Sequence, residues 1–391
     1  MKIYKDYCLL FVQSQPSQLD APFYSSLSRK TDGAIAVALL NDSSERRTDI
    51  DPELGFVPNF SDLPHDYQIV KLSRGKKGGV KLIWEIWKNR PKMVVLQDQS
   101  WGQKIIIAIA SRFSGSLVAM RSDKNLISEN ARAGGRLWIE RFFVRLLFDV
   151  LVPVSELTLN YYGWMEKPKI WPFPYPSFKA KFSRGDLNSC NADIRKYFGI
   201  AISATVFLGV TKFVTRENPH AILRAFARAK KINSDICLIL VGAGALEAEL
   251  KNFVVNQNLS DVYFPGYVAY GDLQKYFHAS DVFLHLANSE PWGISAQDAL
   301  VAEMGLVTSD KVGAGVWHLR GELAQYVVPV DDDEAAAEAM LKLAGPPEKR
   351  EHFWPAWESV RGQFTEEALA QIWAEKLSAL GWTKQEDAAR A

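Results

Sequence analysis

Short apolar runs alternate with stretches of helical periodicity along nearly the whole chain, the pattern of parallel α/β sheets joined by helices. The first run, Tyr7–Val12, leads through a turn-rich loop, Gln13–Asp20, into a predicted helix near Ala21–Lys30. Further strand-like runs are Ala34–Leu40, Met93–Gln97 and Leu117–Met120, and Gly102–Phe113 between the last two reads as a buried helix. Leu137–Phe148 predicts an amphipathic helix with Arg141, Arg145 and Asp149 at fourfold spacing. Val150–Val154 predicts a short strand.

The pattern breaks between Lys167 and Phe182. Pro168, Pro172, Pro174 and Pro176 fit neither a helix interior nor a central strand, so residues 171–182 read as a linker. A second series follows, with strands at Thr205–Val210, Ile236–Val241, Val262–Phe264 and Val282–Leu286. Helices are predicted at Pro219–Lys230, Leu246–Asn256, Leu273–His278 and Ile294–Met304. Two Rossmann-like, doubly wound domains are expected, over residues 1–170 and 183–355, with ligands bound where the carboxyl ends of their strands face a shared cleft. Residues 356–391 read as a helical, Trp-rich segment that packs back on the first domain.

Composition narrows the class. At 391 residues the chain exceeds what one core usually organises, and 48% hydrophobic with 23% charged residues excludes a disordered or collagen-like chain. The net charge of +1 hides an asymmetry, because residues 71–145 hold 16 basic against 5 acidic residues. Such a region attracts an anionic membrane surface or lipid phosphate, the alternative being a solvated surface; nucleic acid is not among the expected partners. Cys8, Cys190 and Cys237 have no metal-ligand spacing and read as small hydrophobes in a reducing compartment. The N-terminal stretch does not read as a signal peptide, and no run of about eighteen apolar residues exists. The expected location is cytoplasmic, with a peripheral position on the inner membrane face if the basic region engages it.

Candidate chemistry centres on Asn288–Gly315. Glu290 and Asp298 stand eight positions apart, about 2.2 helical turns, so that two carboxylates can grip two ends of a polyhydroxylated ligand while a helix N-terminus holds its phosphates. Lys212 and Arg216 follow the strand ending at Val210, where a diphosphate would need neutralising; surface cations are the alternative. Gly242 and Gly244 would let backbone approach a ligand, and Gly266, Tyr267 and Val268 could line a base pocket. Tight turns and a plain surface loop explain the same residues. Asp331–Asp333 reads as a solvated acidic turn rather than a metal site, and His285 as an interior or cleft-edge histidine.

The segment SEPWGISAQDALVAEMGLVTSDKVGAG, with VGAGALEAELK and DVFLHLANSE upstream, resembles the signature of retaining glycosyltransferases of family 4, which have the GT-B fold. QSQPSQLDAPFYSSLSRK and LVAMRSDKNL resemble the exopolysaccharide-type branch. The resemblance implies a metal-independent transfer from a UDP- or GDP-type sugar to a saccharide or lipid-linked acceptor, in polysaccharide assembly and without a cofactor. It implies that Glu290 bonds the donor sugar, and that the loop through Gly209 and the amides around Pro291, Trp292, Gly293 and Ile294 meet the diphosphate or sugar. Asp298 would meet the ribose, and Lys212 and Arg216 the leaving diphosphate. The sequence departs from the family in having Asp298 for Glu, Val210 for Arg, and no first-domain histidine; Asp123 is the catalytic candidate to substitute for it, a helix-capping or salt-bridged Asp being the alternative. These departures leave a non-catalytic nucleotide-sugar-binding protein as the rival, with a nucleotide-sugar epimerase behind it.

Overall fold

The computed structural model describes residues 7–14, 17, 19–40, 50–51, 53–56, 66–72, 75–127, 134–163, 168–177 and 193–382. As the alternating pattern predicts, two parallel sheets form. The first contains β1 (Leu9–Gln13), β2 (Ile35–Leu39), β3 (Gln68–Lys71), β4 (Met93–Leu96), β5 (Leu117–Ser122), β6 (Val150–Pro153) and β7 (Lys169–Ile170), in the order β3-β2-β1-β4-β5-β6-β7. The second contains β8 (Thr205–Val210), β9 (Ile236–Val241), β10 (Val262–Gly266), β11 (Val282–His285), β12 (Gly305–Ser309) and β13 (Val327–Val328), in the order β10-β9-β8-β11-β12-β13.

Central strands such as β1 and β9 are buried at every position because helices cover both faces of each sheet. In both sheets the order reverses beside the first strand. Leu10 lies opposite Ala36 on one side and Val94 on the other, and Leu208 lies opposite Ile239 and Phe283. These reversals open crevices at the strand ends, where open α/β sheets bind ligands.

On one face of the first sheet lie α2 (Lys76–Asn89), α3 (Trp101–Phe113), α4 (Gly134–Leu147) and α5 (Glu156–Tyr162), which bury Leu82, Ile86, Ile107, Ala108 and Val144. On the other face lie α1 (Asp20–Lys30) and the last helix, Glu366–Ala379. Residues Trp171–Ser177 run beside the first domain: Trp171 and Phe173 donate backbone N–H groups to Leu151 and Pro153, and Ser177 pairs with Thr365. Residues 178–182 and Cys190 lie outside the described residues.

Several expectations change. Trp101–Phe113 is helical but buried on one side only: Ile107, Ala108 and Ser111 are buried and Trp101 and Ile105 pack partly against the core, whereas Ile106, Ile109 and Phe113 face outward. Its apolar residues run round the helix, and one side suffices to cover the sheet. Asp149 is not part of the amphipathic helix; it lies beyond it, accepts the Val118 N–H and pairs with Arg112. The strand Gln68–Lys71 and the helices Lys76–Asn89 and Glu156–Tyr162 are additional to the expected elements; Lys76–Asn89 is amphipathic, burying Leu82 and Ile86 and leaving Val80, Trp84 and Trp87 exposed. In the acidic turn, Asp332 caps the helix Asp333–Leu343 and Asp331 and Asp333 pair with Arg224. No helix among the described residues is long and apolar enough to cross a membrane.

Trp373 of the last helix is fully buried, with ring centroids 5.8 Å from Phe11, 6.1 Å from Phe23 and 5.5 Å from Phe173. Among the described residues its indole N–H has no hydrogen-bond partner. Replacing this side chain is therefore a packing experiment. Trp373→Ala should destabilise the fold by roughly 3–5 kcal/mol, with Trp373→Phe costing clearly less, as measured by the shift in urea midpoint.

Candidate active site

The loops that leave β8 and β11 meet at the second sheet's reversal point. With the N-terminus of the helix Ile294–Val301 they enclose a cavity of about 380 Å³, whose other side is closed by Asp51 and Leu54 of the first domain. Gly293, at φ +88°, turns the chain into that helix. It leaves the first helical amides at the cavity, where partial positive charge favours an anion.

Glu290 is pinned as though it were strand. Its N–H donates to the Lys311 carbonyl, its carbonyl accepts from Gly313, and it forms an isolated bridge with Val312. Its Oε2 accepts from Arg216 Nη1 at 2.7 Å. Arg216 also donates through Nη1 to the Ser289 carbonyl and through Nη2 to Glu217 Oε1 at 2.6 Å, while its Nε lies 3.5 Å from Glu53. Glu217 is buried, its other oxygen accepting from the Thr211 hydroxyl and lying 3.3 Å from His285 Nε2. Lys212 Nζ pairs with Glu53 at 2.6 Å and Asp51 at 3.1 Å, across the cleft.

Burial alone would raise the Glu217 carboxyl, but His285, then Arg216 and Thr211, overcome that and hold it at about 2. Glu290 goes the other way. Burial, then the Glu217 charge, raise it, against His285 and Arg216. Burial works against the Lys212 ammonium, yet Glu53 and Asp51 raise it on balance. The atoms of Glu217, His285 and Glu290 that could ligate a cation lie within 4.8 Å of one another, but Arg216 already pairs both carboxylates.

Of the residues predicted from sequence, Glu290, Lys212, Gly242, Tyr267, Val268, Gly293 and Ile294 line the cavity. The others lie off its wall. Arg216 stands behind Glu290 and Glu217 as their clamp. Asp298 is buried one layer deeper, its carboxylate accepting from the Tyr270 hydroxyl at 3.4 Å, and it is Tyr270 that faces the cavity. Trp292 is buried, with its indole bonded to Gln297, and Pro291 offers its carbonyl to Asn125 of the first domain at 2.6 Å. Asp123 accepts from the Tyr175 hydroxyl. Gly209 is packed beneath Leu240 and Ile222, Gly244 lies against the Phe213 backbone, and Gly266 ends β10.

Gly242 is needed for backbone packing as much as for a ligand, since a Cβ there would lie 1.9 Å from the Thr211 carbonyl. Sequence reasoning missed Asp51, Leu54, Thr211, Glu217, Tyr270 and Ser295 and did not give His285 a role, though all line the cavity. A carboxylate directly after Arg216, and a histidine at the carboxyl end of a strand, were the available signals. Asp51 and Leu54 had none, because they come from another domain.

Residues 192–356 match the family described as Glycosyl transferases group 1. The chain is 27% identical over 206 residues to alpha-monoglucosyldiacylglycerol synthase of Streptococcus pneumoniae, covering 49% of this chain and 46% of that protein. It is 22% identical over 179 residues to a Campylobacter jejuni N-acetylgalactosamine-N,N'-diacetylbacillosaminyl-diphospho-undecaprenol 4-alpha-N-acetylgalactosaminyltransferase, covering 45% and 43%. The match thus spans less than half the length of each relative. Among solved structures it is similar to Anabaena Alr3699/HepE in complex with UDP, with TM-score 0.71 and 16% identity over 95% of this chain and 99% of that one. It is also similar to WaaG, described as a glycosyltransferase involved in lipopolysaccharide biosynthesis, with TM-score 0.63 and 13% identity over 95% and 99%. The kinship with glycosyltransferases and the GT-B fold expected from the sequence are borne out.

A carboxyl lowered by folding stabilises the native state above its unfolded pKa and loses that contribution as pH falls through its folded value. For Glu217 the window runs from the ordinary 4.5 down to about 2. Urea stability should fall as pH drops from 5 towards 3, and the gap between wild type and Glu217→Gln should narrow over the same range.

Proposed function

We propose that this chain, whose residues 192–356 match the group 1 glycosyl transferases, moves a sugar from a nucleotide-diphosphate sugar to a saccharide or lipid-linked acceptor. The observation that carries this reading is the cavity between the domains. It combines a pinned carboxylate, Glu290, with helical amides and the Lys212 ammonium at the reversal point of the second sheet. A carboxylate suits sugar hydroxyls; amides and an ammonium suit the diphosphate on which charge grows as the bond to the sugar breaks. Relatives and neighbours named for lipid-linked acceptors and for UDP support the same substrate classes.

In this reading transfer is retaining and needs no metal, with Lys212 and the helix N-terminus taking the diphosphate. Catalysis rests on orientation and on stabilising the leaving group, not on an enzymic nucleophile. Two observations favour the rival, a non-catalytic nucleotide-sugar-binding protein: Asp51 and Glu53 occupy Lys212, and Asp298 lies below Tyr270. With UDP- and GDP-sugars and candidate acceptors, wild type should release nucleotide diphosphate, in EDTA as well, with the anomeric configuration kept. Glu290→Ala should lower that release by about 100-fold or more without unfolding the protein. Wild-type binding of nucleotide sugar without release would establish the rival.

The first domain would carry the acceptor, and its outer face suits a membrane. Trp84 and Trp87 of α2, Phe113 of α3, and Trp138 and Phe142 of α4 are all more than half exposed on neighbouring helices. Exposed Lys77, Lys81, Lys88 and Arg145 accompany them. Aromatic rings with basic side chains on one surface fit an anionic bilayer interface, which supports a peripheral position on the inner membrane face. Arg141 belongs to the fold, because it donates to the Tyr161 carbonyl; Arg132 lies outside the described residues. The tryptophans therefore make the cleaner test. Replacing Trp84, Trp87 and Trp138 by Ser should lower sedimentation with phosphatidylglycerol vesicles several-fold, and unchanged binding would remove the membrane from this reading.

A further inference from the structure

Two basic side chains, Lys212 and His285, are found among the described residues lining the cavity. Lys212 is already engaged by two carboxylates from the first domain. His285 is differently held. It ends β11, is buried, and its Nε2 faces the buried Glu217 carboxylate at 3.3 Å. Its Nδ1 lies 3.4 Å from Ser295 Oγ, in the first turn of the helix whose amides open on the cavity. The ring is close behind the turn itself, with Cε1 3.3 Å from the position a Cβ on Gly293 would take. A ring supported by a carboxylate on one nitrogen and directed by the other towards a helix N-terminus is arranged to meet an anion.

We propose that His285, held in place by Glu217, is a diphosphate-binding residue of this cavity, acting with Ser295 and the first amides of the helix. Glu217 is then a positioning residue. Through one oxygen it fixes the imidazole and receives the Thr211 hydroxyl; through the other it steadies Arg216, which grips Glu290. One carboxylate thereby couples the phosphate end of the site to its sugar end. The inference rests on the nucleotide-sugar reading and adds to it two residues that the sequence signature did not supply.

Calorimetric titration of the full chain with UDP and GDP, and with uridine and guanosine as controls, tests it. His285→Gln and Glu217→Gln should each weaken diphosphate binding by about tenfold, the loss of one charge-assisted contact, while nucleoside binding stays as in wild type. Diphosphate affinity within twofold of wild type in His285→Gln would overturn the proposal. So would an equal loss for nucleoside and diphosphate, which reports altered pocket shape alone. Wild type binding neither UDP nor GDP would instead remove the nucleotide-sugar reading, and this proposal with it. If Glu217→Gln lowers the melting temperature markedly, His285→Gln alone decides.

Discussion

The burial of Trp373 among Phe11, Phe23, Trp171 and Phe173 governs how the two domains meet. Through it, a chain that has completed its second sheet returns to the first domain in the helix Glu366–Ala379. The connection is thereby doubled: one crossing runs through Trp171–Ser177 and another through the last helix, and they touch where Ser177 pairs with Thr365. Polar ties at the cleft depend on that placement. Gln297 of the second domain donates to Tyr175 and Ser177, and Asn125 of the first reaches the Pro291 carbonyl on the loop that carries Glu290.

Charge balance is the second constraint. Asp51, Glu53, Glu217 and Glu290 surround Lys212 and Arg216, so a diphosphate bound as proposed would compete with carboxylates already in place. Arg216, paired with Glu290 and Glu217, serves as a clamp that aims Glu290. The cavity's anion-binding capacity is left to Lys212, the helix amides and His285. Fixed dipoles and paired charges of this kind cost little reorganisation when charge develops on a leaving group, which suits them to transfer chemistry.

The outer face of the first domain shows how a sequence pattern can be sound and its interpretation wrong. The apolar residues of Gly102–Phe113 do signal a helix, but they were assigned to the interior because periodicity does not distinguish burial in protein from exposure at a surface that needs apolar side chains. Ile106, Ile109 and Phe113 stay outside because α2 and α4 flank the helix without covering it. Trp84, Trp87, Trp138 and Phe142 on the same outer face are exposed as well.

By itself the sequence determined what depends on neighbours along the chain. Short, fully apolar runs such as Ile236–Val241, bounded by turn residues, read as central parallel strands, and Gly293 after Pro-Trp reads as the turn into the helix that follows. Glu290 was legible for the same reason, since its position relative to that turn is local. Tertiary structure decided whatever requires residues remote in sequence to meet. It brought Asp51 and Glu53 to Lys212 over about 160 positions, placed Tyr270 between Asp298 and the cavity, and set His285 on Glu217. A side chain's charge and reach are written in the sequence. The partner that consumes them is fixed only when two sheets and a returning helix close around one cleft.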